Sequence, residues 1–179
     1  MFDLGAAADE MSRLVSAVRE DQLDHPTPCA DWTVADLLAH IHQFATVFTN
    51  NAHEEASQPP GDLVACWREA IPDQLDQLAR AWREESAWHG RVSAGGIEMD
   101  APDNAVVGIE ELTVHGWDLA CATGQNFRVE DACLDHVNRF FELFGGAPFG
   151  PEAATPEGAP RLDRIIARTG RAPTWEPTR

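Results

Sequence analysis

Two stretches of the chain carry side chains able to hold a metal ion. In TPCADWTVADLLAHIH, residues 27–42, His40 and His42 close an apolar helical stripe. In AVVGIEELTVHGWDLACATG, residues 105–124, Glu111, His115 and Asp118 recur at i, i+4 and i+7. Side chains four apart on a helix are surface neighbours, so Glu111 and His115 can reach one cation. His40, one turn from both Leu37 and Phe44, stands at the edge of its stripe and supplies the third ligand. His42 falls on the opposite flank, so the two histidines cannot share one ion. Two imidazoles and a carboxylate leave a coordination position open for water or substrate, as catalytic rather than structural zinc does. Fe(II) and Ni(II) accept the same donors. The same spacing also fits plainer roles: a half-buried histidine bonded to a carbonyl, and a solvated Glu–His pair.

Other residues near these stretches have two readings each. Asp118 can orient the second ring nitrogen of His115, or face solvent. Trp32 and Trp117 can wall a pocket, or be plain core. Cys29, just before a helix, can have its pKa lowered by the helix dipole, or simply pack. Arg171 can bind a substrate carboxylate, or pair with one of the 30 acidic residues, and the ion pair is the simpler expectation. Neither GxSxG nor a P-loop is present, so serine-hydrolase and nucleotide-phosphate chemistry lack support.

These residues must be held by helices. Leu4, Ala7, Ala8, Met11, Leu14, Val15 and Val18 repeat with helical spacing, and the prolines of His25-Pro26-Thr27-Pro28 forbid continuation. Val34, Leu37, Leu38, Ile41, Phe44, Ala45 and Phe48 predict a second helix from about Thr33 to the early fifties, with Thr33 and Asp36 as a capping box. Leu63 to Trp82 predicts a third helix kinked at Pro72, and Trp88 to Asp100, with Gly90, Gly95 and Gly96, an extended or hairpin segment. Further helices are expected at about Asn104–Ala122, Asp131–Phe144 and Leu162–Ala167, with the proline- and glycine-rich segment 147–160 crossing the surface as an ordered loop.

Composition bounds the class. A chain of 179 residues suits one domain with its own core. With 13 basic and 30 acidic side chains the formal charge is −17, which repels phosphate backbones and anionic lipid, so nucleic acid and membrane are not expected as partners. Cys29, Cys66, Cys121 and Cys133 form no CxxC pair, which fits reduced thiols in a cytoplasm. The acidic start MFDLGAAADEMSRLV lacks the basic and apolar regions of a signal peptide.

The segments TPCADWTVADLLAHI and EELTVHGWDLACATGQ resemble actinobacterial members of the DinB/YfiT-like metal-binding bundles, in particular the mycothiol-dependent maleylpyruvate isomerase N-terminal type, over most of the chain. The resemblance implies an all-α, up-and-down four-helix bundle binding one divalent metal, zinc first and nickel or iron next, through His40, Glu111 and His115. His42 has no counterpart. The isomerase carries a further C-terminal domain for which this chain has no room, and the ending RLDRIIARTGRAPTW resembles relatives whose reaction is undefined, so maleylpyruvate isomerisation is not carried over. What the resemblance implies instead is a transferase, isomerase or hydrolase in which the metal activates the mycothiol thiol against a small electrophile. The alternative is a non-catalytic metal or small-molecule binding protein of the same fold. The expected architecture is thus one domain over residues 1–179, with a short extended insertion, a C-terminal helical segment and an exposed bundle face that leaves room for a homodimer.

Overall fold

The computed structural model describes residues 1–146 and 149–177. They are mostly helical, with one small sheet. The elements are α1 (Gly5–Ser16), α2 (Val34–Ala52), α3 (Trp67–Ala81), β1 (Arg91–Ala94), β2 (Ile97–Asp100), α4 (Ala101–Thr123), α5 (Asp131–Phe144) and α6 (Arg161–Arg168).

Local chemistry explains most boundaries. At the start of α2 the Thr33 hydroxyl accepts from the Asp36 N–H at 3.2 Å, and the Asp36 carboxylate accepts from the Thr33 N–H at 2.9 Å. This reciprocal cap stabilises the helix by about 1 kcal/mol. At the other end of the site-bearing pair, α4 stops at Gly124, whose φ of 68° is left-handed and free of the usual Cβ clash. The helix begins at Ala101, three residues before the expected start, because Pro102 falls in its first turn, where its missing N–H has no helical partner to lose. In contrast, α3 begins only at Trp67. Leu63 and Val64 are half-buried against the core but precede the helix in irregular chain, where a turn at residues 65–66 lets the Trp67 N–H donate to the Val64 carbonyl at 3.1 Å. Apolar spacing there records which side chains reach the core, not the backbone conformation. Helix α3 runs on through Pro72.

Each of the first four helices packs on two of the others: α1 on α3 and α4, and α2 on α3 and α4. A simple up-and-down order would set the consecutive α1 and α2 side by side, and the structure does not. The connection 17–33, with a 3-10 turn at Glu20–Gln22, is long enough to carry the chain across to a non-adjacent position. The four helices enclose a core that includes Leu14, Leu37, Ile41, Ile71, Leu78 and Ile109. A second, smaller cluster joins Val106 of α4 to Leu134, Val137, Phe140 and Phe141 of α5 and Ile165 of α6.

The extended segment is an antiparallel hairpin, Arg91 opposite Asp100 and Ala94 opposite Ile97. Its two-residue turn, Gly95-Gly96, has φ of 58° and 79°, the pair of positive angles that the strand twist favours. Asn51 ties it down, donating from Nδ2 to the Ser93 carbonyl at 3.0 Å and to Asn104 Oδ1 at 3.1 Å. The hairpin is thereby held over α2 and α4.

Candidate metal centre

The stripe that buries Leu37, Ile41 and Phe44 leaves His40 half-buried on the flank of α2 that faces α4. From α4, Glu111 and His115 project side by side toward it. His40 Nε2 lies 3.1 Å from Glu111 Oε2, and His115 Nε2 lies 3.2 Å from that same oxygen. The two imidazoles meet edge to face with centroids 4.8 Å apart. All three expected ligands therefore converge on one point.

The donor set fits a divalent cation. Three N and O ligands at about 2.1 Å from one ion, at angles between octahedral and tetrahedral, stand about 3.0–3.4 Å from one another. The 3.1 and 3.2 Å separations from Glu111 Oε2 fall in that range. Orientation fits as well. Asp118 Oδ2 accepts from His115 Nδ1–H at 2.9 Å, which turns Nε2 toward Glu111. Asp118, fully buried, is itself clamped by Arg171, whose Nε and Nη2 donate at 2.7 and 2.8 Å. Arg171 comes from the segment after α6, 53 residues further along the chain. So Asp118 orients the second ring nitrogen of His115 rather than facing solvent, and Arg171 makes its ion pair with Asp118.

The electrostatics follow from crowding. Burial works against a charge on Glu111, but hydrogen bonds from His115 and His40 outweigh it and hold the carboxyl well below its usual range. Burial likewise works against a charged His115, yet its hydrogen bonds to Asp118 and Glu111 push its pKa up to about 9. Before a cation can bind at Nε2, that ring must give up a proton.

Sequence reasoning missed Glu110. It is 4% exposed, and burial together with the neighbouring Glu111 charge pushes its pKa up to about 8. A signal existed: Val106, Val107 and Val114 stand at i−4, i−3 and i+4, so Glu110 occupies an apolar sector where a carboxylate is out of place.

Other candidates are sorted by position. Trp32 walls the site, its ring 4.8 Å from His40 and 5.8 Å from His115, whereas Trp117 is buried away from it. Cys29 lies at the edge, its sulfur within 4.8 Å of donor atoms of His115 and Asp118. Burial, the largest influence, raises its pKa in spite of Arg171, so the dipole-lowered thiol anticipated from its place before α2 is not found. Its set with His115 and Asp118 is the poorer metal site, because both Asp118 oxygens already accept from Arg171 or His115. His42 takes no part; its Nδ1 is buried without a partner among the described residues.

The three residues open onto a cavity of about 990 Å³. One end carries Glu110, Glu111, His40, His115 and Arg171. The rest is mostly apolar, formed by α2, the hairpin, α5 and the segment from Phe149 to Pro151, with Gln43 and Thr169 as polar side chains among them.

The sequence profile described as the mycothiol maleylpyruvate isomerase N-terminal domain matches residues 4–120, a span that contains every one of the three converging side chains. The chain belongs to this family. Two proteins of Mycobacterium tuberculosis are similar to this member of the family, the uncharacterized protein MT0763 of strain CDC 1551 / Oshkosh and the uncharacterized protein Rv0738 of strain ATCC 25618 / H37Rv. Each is 30% identical over 177 residues, covering 92% of this chain and 93% of the relative. No solved structure matches the chain. Within the mycothiol maleylpyruvate isomerase N-terminal domain family, Arg171 lies beyond the matched span, so the buried fork on Asp118 comes from a part of this chain that the profile does not describe. Among the described residues no helix is long and apolar enough to cross a membrane.

Proposed function

We propose that residues 1–179 form one domain, a four-helix bundle of α1 to α4 in crossed order, in which His40, Glu111 and His115 hold one divalent cation. Zinc is the first candidate, with nickel and iron next. The observation that carries this reading is the meeting of two imidazole nitrogens and one carboxylate oxygen at the floor of a large cavity. The protein then acts as a thiol-dependent transferase, isomerase or hydrolase on a small electrophile, with mycothiol as the thiol that the family name suggests. When bound, such a cation keeps a coordinated thiol as its thiolate at neutral pH and so supplies the nucleophile.

The protein's own side chains do the remaining work. Asp118 holds a proton on His115 Nδ1, leaving Nε2 as the donor that faces the cavity. Arg171 holds the Asp118 carboxylate in place through two hydrogen bonds. Glu111 offsets part of the cation's charge. Trp32 and Phe44, against the two histidines, exclude water from the reacting end.

A second reading has its own support. His40, Glu111 and His115 satisfy one another's hydrogen bonds without any cation, as a buried ion-pair network in a non-catalytic small-molecule binding protein would. Elemental analysis of untagged protein separates the two. Near one equivalent of a divalent metal, lost in His115→Ala, together with consumption of a thiol by an electrophile, supports the first. Metal-free, well-folded protein that binds small molecules without turnover overturns it.

A further inference from the structure

We propose that the second reactant in this cavity is an uncharged molecule with an aromatic or branched apolar body, seated on a phenylalanine wall while its electrophilic end faces His40, Glu111 and His115. This rests on the reading of the site as a thiol-activating centre and names the class of molecule that the thiol would meet.

One part of the wall adjoins the site. Phe44 stands 5.5 Å from His40 and 6.5 Å from His115, ring to ring, and continues to Phe48 at 6.3 Å. Phe140 and Phe144 of α5, 5.1 Å apart, line the same cavity with Phe149, which lies 5.8 Å from Phe140. Aromatic faces and edges at such spacings accept a flat or branched apolar body by stacking and edge contacts. Charge argues the same way. Among the described lining residues the only arginine is Arg171, there is no lysine, and the Arg171 fork is committed to Asp118. Two carboxylates, Glu110 and Glu111, line the cavity as well, in a protein of formal charge −17. Away from the three-residue end, an anionic body would meet no unpaired arginine or lysine among the described lining residues. Space is sufficient for both reactants, since about 990 Å³ lies at the upper end of the roughly 300–1,000 Å³ of small-molecule sites.

The test compares two fluorescent probes with the same aromatic body, neutral N-phenyl-1-naphthylamine and its sulfonated analogue 1-anilinonaphthalene-8-sulfonate, on full-length, metal-replete protein. The neutral probe is expected to bind at least tenfold more tightly. Val47→Trp, which fills the apolar end from a half-buried position on α2, should weaken the neutral probe at least tenfold while metal content stays unchanged. If Val47→Trp does not fold, Phe144→Ala, at the half-buried end of α5, should weaken it at least threefold. Equal or tighter binding of the sulfonate overturns the proposal, as does unaltered binding of the neutral probe by a folded variant. Elemental analysis on the same samples keeps the two readings apart. Metal-free protein that still prefers the neutral probe defeats the metal reading alone, whereas metal-replete protein that prefers the sulfonate defeats this one.

Discussion

The two ends of the cavity are built by opposite physics. At the charged end, Glu111 is half-buried, His115 and Arg171 are buried with Asp118 behind them, and each is held by a charged partner. Such groups are costly to bury and tolerate no loss of a partner. At the outer end, the phenylalanines of α5 and Phe149 pack with no polar obligation, so each side chain contributes by area alone. The contrast is sharpest between neighbours in sequence. Glu111, with two imidazoles against it, is held ionised, while Glu110, one residue away and without a hydrogen bond among the described residues, is pushed toward the neutral acid. Networked chemistry should therefore fail abruptly when one member is removed, and the apolar wall should fail by degrees.

Mutation of the network should give the largest effects. His115→Ala removes the imidazole that contacts both Glu111 and Asp118; on the proposed reading metal content should fall to background and thiol-dependent turnover by on the order of 10³-fold, read by elemental analysis and thiol consumption. Next, Asp118→Asn should lower metal affinity about 10–100-fold by loosening the His115 ring, measured by competition with a chelating dye. Because it also leaves Arg171 buried without its carboxylate, the fold should lose about 3–5 kcal/mol in denaturant titration.

Acidity offers a gentler probe of the same network. In metal-free protein the pKa of His115 is raised from 6.5 to about 9. The charged ring therefore favours the folded state fully below pH 6.5, and that stabilisation is lost as pH rises to 9. Glu110, raised from 4.5 to about 8, acts in the same direction, since the unfolded chain releases its proton first as pH rises. Metal-free protein should thus melt at a lower temperature at pH 9 than at pH 6. A bound cation, which requires the neutral ring, should flatten or reverse that slope, and an unchanged slope on loading would count against ligation by His115.

The apolar end predicts smaller losses. Phe144→Ala should cost about 1–2 kcal/mol, less than the roughly 3–5 kcal/mol of a fully buried phenylalanine, and leave metal content intact. Smallest of all, His42→Leu removes a ring nitrogen buried without a partner; stability should hold or rise by about 1 kcal/mol, with metal unchanged. A loss of metal in His42→Leu would mean that the wrong histidine of α2 has been assigned.

Much of this was legible before any coordinates. The period of Val34 to Phe48 placed α2, Thr33 and Asp36 its start, Gly124 the end of α4, and the glycines of residues 88–100 an extended or hairpin segment, because each of these depends on contacts within a few residues. Glu111 and His115 were legible as a pair for the same reason. Glu110 has no i, i+4 partner to mark it, and its one sequence signal is a charge in an apolar sector. The crossed order of α1 and α2 was misjudged as up-and-down, since a connection of that length permits either and its local pattern does not choose.

By itself, the amino-acid order determined the helices, their caps, the acidic surface and the facing of Glu111 and His115, all consequences of backbone geometry and short-range hydrogen bonding. Only the tertiary structure decided that α2 lies against α4 so that His40 meets that pair, that Arg171 reaches back to clamp Asp118, and that phenylalanines from α5 join those of α2 around one cavity. Those outcomes depend on how amphipathic faces pair across long stretches of chain, where burial rewards several arrangements almost equally and only the whole core selects one.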